Sequence, residues 1–242
     1  MRMVSRKDFL KSLGLAGVTV IAAPLILRCR NKDDEEGNAV IDNSVSTACA
    51  VTNSETEGPF PTKSPSTLVQ TNIVGDRTGV PFEINLIIQS VKANCAALQN
   101  VMVDIWHCDR EGNYSEYGGS GMQSADYTSA HFLRGRQTTN DSGQVSFVSV
   151  FPGWYSGRAT HIHVHVYTAA GTSLLVTQIT FPEGSGSAVE LVNASSGYRG
   201  MSGYTYNASD NVFSDGTANE MSTVSGSVSA GFKLAHTIKV NA

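Results

Sequence analysis

Five segments of this chain carry apolar side chains at every second position and are separated by Gly, Asn and Asp. They are Glu83–Val91, Val101–Trp106, Gln144–Val150, His161–Tyr167 and Leu174–Phe181. Successive side chains of a strand point to opposite faces, so a period of two gives each segment one face to bury and one to leave polar. Glycine, serine and threonine are plentiful, and long helical repeats of Ala, Leu, Glu and Lys are missing. The fold class this predicts is all-β, a sandwich or barrel with few short helices. One short helix is expected between Asp126 and Phe132, and Asn140-Asp-Ser-Gly carries the residues a hairpin turn needs.

The segment from His161 to Tyr167 puts a histidine at every second position, so His161 and His163 share a face and can meet one metal ion. His165 follows on the same face, outside the expected ligand pair. Two tyrosines decide which metal. Tyr114, in the loop Asp109-Arg-Glu-Gly-Asn-Tyr, and Tyr155, ending Phe-Pro-Gly-Trp-Tyr, offer phenolate oxygens. Phenolate is a hard anionic donor suited to a trivalent ion, whereas zinc and copper sites draw mostly on imidazole, thiolate and carboxylate. Two phenols and two imidazoles point to ferric iron.

The first 29 residues differ from the rest. Arg2, Arg6, Lys7 and Lys11 precede an apolar run from Leu13 to Leu27, the layout of an export signal and too short for a comfortable membrane span. Cys29 ends that run as the acylated cysteine of a lipoprotein would, the only membrane attachment expected. Residues 30–48 read as a polar tether and residues 49–242 as the domain itself. An extracytoplasmic location follows: periplasm, cell surface or secreted. It suits a disulfide, for which Cys95 and Cys108, flanking the Val101 segment, are the expected pair. The net charge of −4, with no basic stripe beyond the leader, argues against nucleic acid as a partner.

Thr56-Glu-Gly-Pro-Phe, Val103-Asp-Ile-Trp-His-Cys-Asp, Gly112-Asn-Tyr114, Phe132-Leu-Arg-Gly, Pro152-Gly-Trp-Tyr155 and His161-Ile-His163 occur in an order that resembles the intradiol ring-cleavage dioxygenases, the family of protocatechuate and catechol dioxygenases. The resemblance implies a β-sandwich holding non-haem Fe(III) through Tyr114, Tyr155, His161 and His163. It also implies that Tyr155 is the ligand displaced by substrate, that Arg158 stabilises developing negative charge, and that Gln178 lies near the same pocket. The substrates it implies are a small aromatic diol and O2, and the product a muconate-type dicarboxylic acid. Two other functions are compatible with parts of the sequence: an exported binding or structural module that keeps the fold without catalysis, and a zinc hydrolase using His161, His163 and His165.

Overall fold

The computed structural model of the protein describes residues 49–119 and 121–242. The expected export signal, the anchor at Cys29 and the tether lie outside the described residues.

The described strands are β1 (Pro81–Ser90), β2 (Ala96–Ala97), β3 (Met102–Trp106), β4 (Arg134–Thr138), β5 (Gln144–Val150), β6 (His161–Tyr167), β7 (Ser173–Thr180), β8 (Thr223–Ser227) and β9 (Gly231–Val240). They form two sheets. In the first, β9 runs parallel to β1 along one side, while β5 and β2 share the other, and β8 pairs with β9. The second is antiparallel throughout, in the order β4-β3-β6-β7.

The alternation explains how the sheets meet. Phe82, Ile84, Leu86 and Ile88 of β1, Val145 and Phe147 of β5, Val103 and Ile105 of β3, and Ile162, Val164 and Val166 of β6 belong to one buried cluster. Burying each such side chain stabilises the fold by about 1.5–3 kcal/mol, which makes this seam the main source of stability. In β6 the other face is buried too, every residue from His161 to Val166 being enclosed. Loops cover the outer face of the second sheet, and the histidines lie beneath them.

Three expectations need correction. Residues 126–132 form turns rather than a helix, because the Asp126 carboxylate accepts from both the amide and the hydroxyl of Thr128 and so competes with helical bonding. The described α-helix is α1 (Ala188–Asn193), capped by the Ser187 hydroxyl, which accepts from Glu190 N. Asn140–Gly143 does make a tight turn, with Gly143 N donating to Asn140 O at 2.8 Å. It does not make a hairpin, since β4 pairs in the second sheet and β5 in the first. Turn chemistry is local, whereas pairing follows the free edge that fits the apolar face.

The third correction concerns the disulfide, which joins Cys49 to Cys95 with Cα atoms 5.8 Å apart, leaving Cys108 free and buried. Cys95 follows β1 in one sheet and Cys108 follows β3 in the other, where Cys108 packs with Phe60, Trp106 and Tyr114. The bridge closes a span of 46 residues, so Cys95→Ser is expected to cost about 4 kcal/mol. Urea denaturation of the variant and of the reduced wild type should give the same loss.

Candidate metal centre

Strand register assembles the site. Arg134 of β4, Trp106 of β3, His163 of β6 and Gln178 of β7 are successive cross-strand partners, and so form one row on the outer face of the second sheet. His161 lies two residues along β6 on the same face. The His161 and His163 Nε2 atoms are 3.1 Å apart, and the Tyr114 hydroxyl lies 3.0 Å from the first and 3.3 Å from the second. Tyr114 is on the distant loop after β3. The Asp109 carboxylate shapes that loop by accepting from the amides of Glu111 and Asn113, and Gln123 Oε1 accepts from Tyr114 N at 2.7 Å.

Packing fixes the rings. Trp106 stacks parallel on His163 with centroids 4.9 Å apart, and Phe60 stacks on Tyr114 at 4.8 Å. Gly58 closes over the histidines: its φ of +67° favours glycine, and a Cβ there would lie 3.1 Å from His163 Cε1. Arg134, fully buried, holds the same loops together. Its guanidinium donates to Ser115 O and Oγ, Phe60 O and Thr62 Oγ1.

Burial sets the protonation states. It pushes His161 down to about 3, helped by the nearby Arg158 charge, and holds His163 well below its ordinary value. Both imidazoles are neutral at physiological pH. His161 Nδ1 lies 2.7 Å from Ala159 O, a contact that places the proton on Nδ1 and leaves the Nε2 lone pair facing the cluster. Burial also raises the Tyr114 phenol well above its usual value, so it ionises only beside a strong cation. Two neutral imidazole nitrogens and one phenol oxygen converging in a buried site fit a hard trivalent metal such as ferric iron.

Tyr155 is close but oriented differently. Its ring meets Phe60 edge-on at 5.4 Å and lies 6.1 Å from Tyr114, while its hydroxyl donates to Met122 O at 2.8 Å. The structure therefore brings three of the four expected ligand atoms together and gives the fourth side chain another partner.

Arg158 and Gln178 are linked. Arg158 Nη2 donates to Gln178 Oε1 at 2.7 Å, and Gln178, itself fully buried, donates to Thr56 O at 2.8 Å. The other side of Arg158 is gripped by Asp210, which accepts from Arg158 Nε at 2.8 and 2.9 Å and from Ala159 N. Asp210 thus orients the approach to His161. Nothing in the polar stretch Asn207-Ala-Ser-Asp distinguishes it beforehand. Arg134 did leave a trace, a cation inside the otherwise apolar Phe132-Leu-Arg-Gly.

His165 stays out of the cluster. Its Nδ1 faces Glu57 Oε1 at 2.9 Å and the Tyr167 hydroxyl at 2.8 Å, and its Nε2 faces Ser173 Oγ at 2.8 Å. With both ring nitrogens engaged, it supplies no third imidazole for zinc. His107, buried against Cys108 O and Ser149 Oγ, is structural. A cavity of about 600 Å³ lined by Asn85, Gln144, Met221, Thr223 and His236 shares no residue with the histidine cluster.

The family model described as Dioxygenase matches residues 57–218. An intradiol ring-cleavage dioxygenase from Tetranychus urticae is 27% identical, with a TM-score of 0.70 covering 80% of this chain and 95% of that one. The dioxygenase domain of a carbohydrate-binding fusion protein from Streptomyces sp. SirexAA-E is 23% identical, with a TM-score of 0.57 and coverage of 78% and 97%. A 3-chlorocatechol 1,2-dioxygenase from Rhodococcus opacus 1CP is 18% identical, with a TM-score of 0.53 and coverage of 78% and 72%. These last two share the fold. No curated protein matches the chain.

Proposed function

Because the chain belongs to the intradiol ring-cleavage dioxygenase family, we propose that it is a non-haem Fe(III) enzyme that opens catechol-type rings with O2. The observation that carries this reading is the convergence of Tyr114 Oη, His161 Nε2 and His163 Nε2 within 3.3 Å. Tyr114, Tyr155, His161 and His163 would hold the metal. Ferric iron, when bound, supplies the Lewis acid that makes anions of the phenols and the diol and opens the diol's electrons to O2.

The protein's own groups divide the remaining work. Tyr114 and the two histidines, buried and packed against Phe60 and Trp106, form the fixed part. Tyr155 is the exchangeable one: half-buried, it has Met122 O as an alternative partner, and its Oη would receive a proton from the incoming diol. Asp210 and Gln178 hold the Arg158 guanidinium beside the histidines, where it offsets developing negative charge. The bond between the two hydroxylated carbons breaks, both atoms of O2 enter the product, and a muconate-type dicarboxylic acid results. The same reading puts the enzyme outside the cytoplasm, attached to membrane only if Cys29 is acylated. The Cys49–Cys95 bridge supports that compartment.

The visible spectrum of the iron-loaded protein tests the reading. A tyrosinate-to-iron band, red in colour and shifted to longer wavelength by catechol without air, is the expected result. A colourless protein after ferric reconstitution would overturn it. Tyr155→Phe should retain most of the iron, alter the band and lower turnover about a hundredfold or more. Unchanged colour and turnover would remove Tyr155 from the ligand set.

A further inference from the structure

Away from the histidines, three carboxylates meet at the free edge of β7. Glu55, Asp215 and Glu220 each offer an oxygen within 4.8 Å of the other two. The backbone brings them there. Glu55 N donates to Val176 O at 2.9 Å and Thr180 N donates to Glu220 O at 3.0 Å, so segments from opposite ends of the domain line one strand. Asn53 Nδ2 steadies the third carboxylate, donating to Asp215 Oδ2 at 2.9 Å.

Glu220 makes this more than an acidic surface. It is fully buried, its Oε2 has no hydrogen-bond partner, and its Oε1 has only a long contact of 3.4 Å from the Thr177 hydroxyl. None of the three carboxylates forms an ion pair with a described residue. A dehydrated carboxylate beside two others needs either a proton or a cation. We propose that Glu55, Asp215 and Glu220 bind a calcium-class divalent cation that clamps the segments around residues 55 and 215–220 onto β7.

The donors are all oxygen, without imidazole or thiolate, which selects a hard ion. Calcium accepts six to eight oxygens in irregular arrangements and tolerates bidentate carboxylates, whereas magnesium demands a near-ideal octahedron. Exposed Asp215 leaves room for water in the coordination shell. Burial, followed by the Glu55 and Asp215 charges, pushes the Glu220 carboxyl up to about 8, so at neutral pH the cation displaces a proton. The clamp would also steady the active-site wall. Thr56, next to Glu55, supplies the carbonyl that holds Gln178, and Asp210 in the adjoining loop holds Arg158.

The test uses the iron-loaded protein dialysed free of other divalent ions. Its melting temperature and calorimetric heats are followed as calcium is added across roughly 0.1–10 mM, from the affinity range of extracellular calcium modules, about 0.1–1 mM, up to saturation. Saturating calcium is expected to raise the melting temperature by about 5 °C, magnesium by less. Glu220→Gln should abolish the rise. Asp215→Asn, at an exposed position, should weaken calcium binding tenfold or more and decides the matter if Glu220→Gln fails to fold. No heat and no shift in the wild type, with Glu220→Gln as stable as the parent, would instead identify Glu220 as a protonated carboxyl. A calcium effect that survives in both variants would equally overturn the site.

Discussion

His161→Ala is expected to release the metal and abolish turnover while leaving the β-sandwich folded. The imidazole is one of three donors that meet within 3.3 Å, and its lone pair is aimed at that point by the contact between Nδ1 and Ala159 O. Losing a group that merely orients a ligand typically costs 10–100-fold in metal affinity, and losing the ligand itself should cost more. The alanine leaves a void on the outer face of β6, away from Ile162 and Val164, so the seam between the sheets is untouched. Iron content by metal analysis and the visible band should fall together, while circular dichroism keeps the wild-type β signature. A variant that held a full ferric complement would show that the metal sits elsewhere.

Arg134→Ala should be the most destabilising single change on this face, costing about 3–5 kcal/mol. The guanidinium is fully buried, and burial pushes it down to about 10, so it remains a cation at neutral pH. Four hydrogen bonds and Glu116 at 3.7 Å surround it. Removing it orphans the Ser115 and Phe60 carbonyls and leaves Glu116 without that buried counter-charge. Glu116 is itself in the left-handed region, at φ 67°, a conformation a side chain this size holds only when its surroundings insist. The loops carrying Phe60 and Tyr114 should loosen together, so iron binding should weaken alongside the melting temperature. Arg134→Lys, which keeps charge but loses the planar fork, should recover only part of either. If Arg134→Ala melted and bound iron like the parent, the guanidinium would not be what joins these loops.

The strand that carries the histidines was the most legible part of the chain, because its alternation is complete and its polar positions are all imidazole. β1, β3, β5 and β7 were visible by the same rule. β9 was not, although Phe232, Leu234, Ile238 and Val240 alternate, since His236 interrupts the stripe in the middle. β4 reads Arg-Gly-Arg-Gln-Thr and has no apolar face to announce it. It is a strand because its neighbour provides partners: Arg136 pairs across to Asp104, with Nη2 and Oδ2 at 2.7 Å. The pairing of His161 and His163 on one face follows from the sequence because two positions on one strand need only local geometry. Asp210 and Arg134 depend on loops that meet only once the chain has folded, and single-sequence reasoning has no access to that meeting. The cysteine pairing failed for the same reason, sequence proximity being a poor guide to which layer a residue occupies.

The placement of the site has a further consequence for how such a protein can change over generations. The apolar side chains of the seam and the histidines of the candidate site hang from opposite faces of β6, while Arg134, on the histidine side, serves stability as well. Under the proposed function, a substitution in the covering loops, at exposed Met122 for example, would act on the substrate without reaching the seam between the sheets. Conversely, repacking that seam leaves the spacing of the histidines to the backbone alone. Away from Arg134, selectivity and thermal resistance can therefore drift separately, and under the proposed function a laboratory lineage selected for a bulkier diol should gather its mutations on one side of the second sheet.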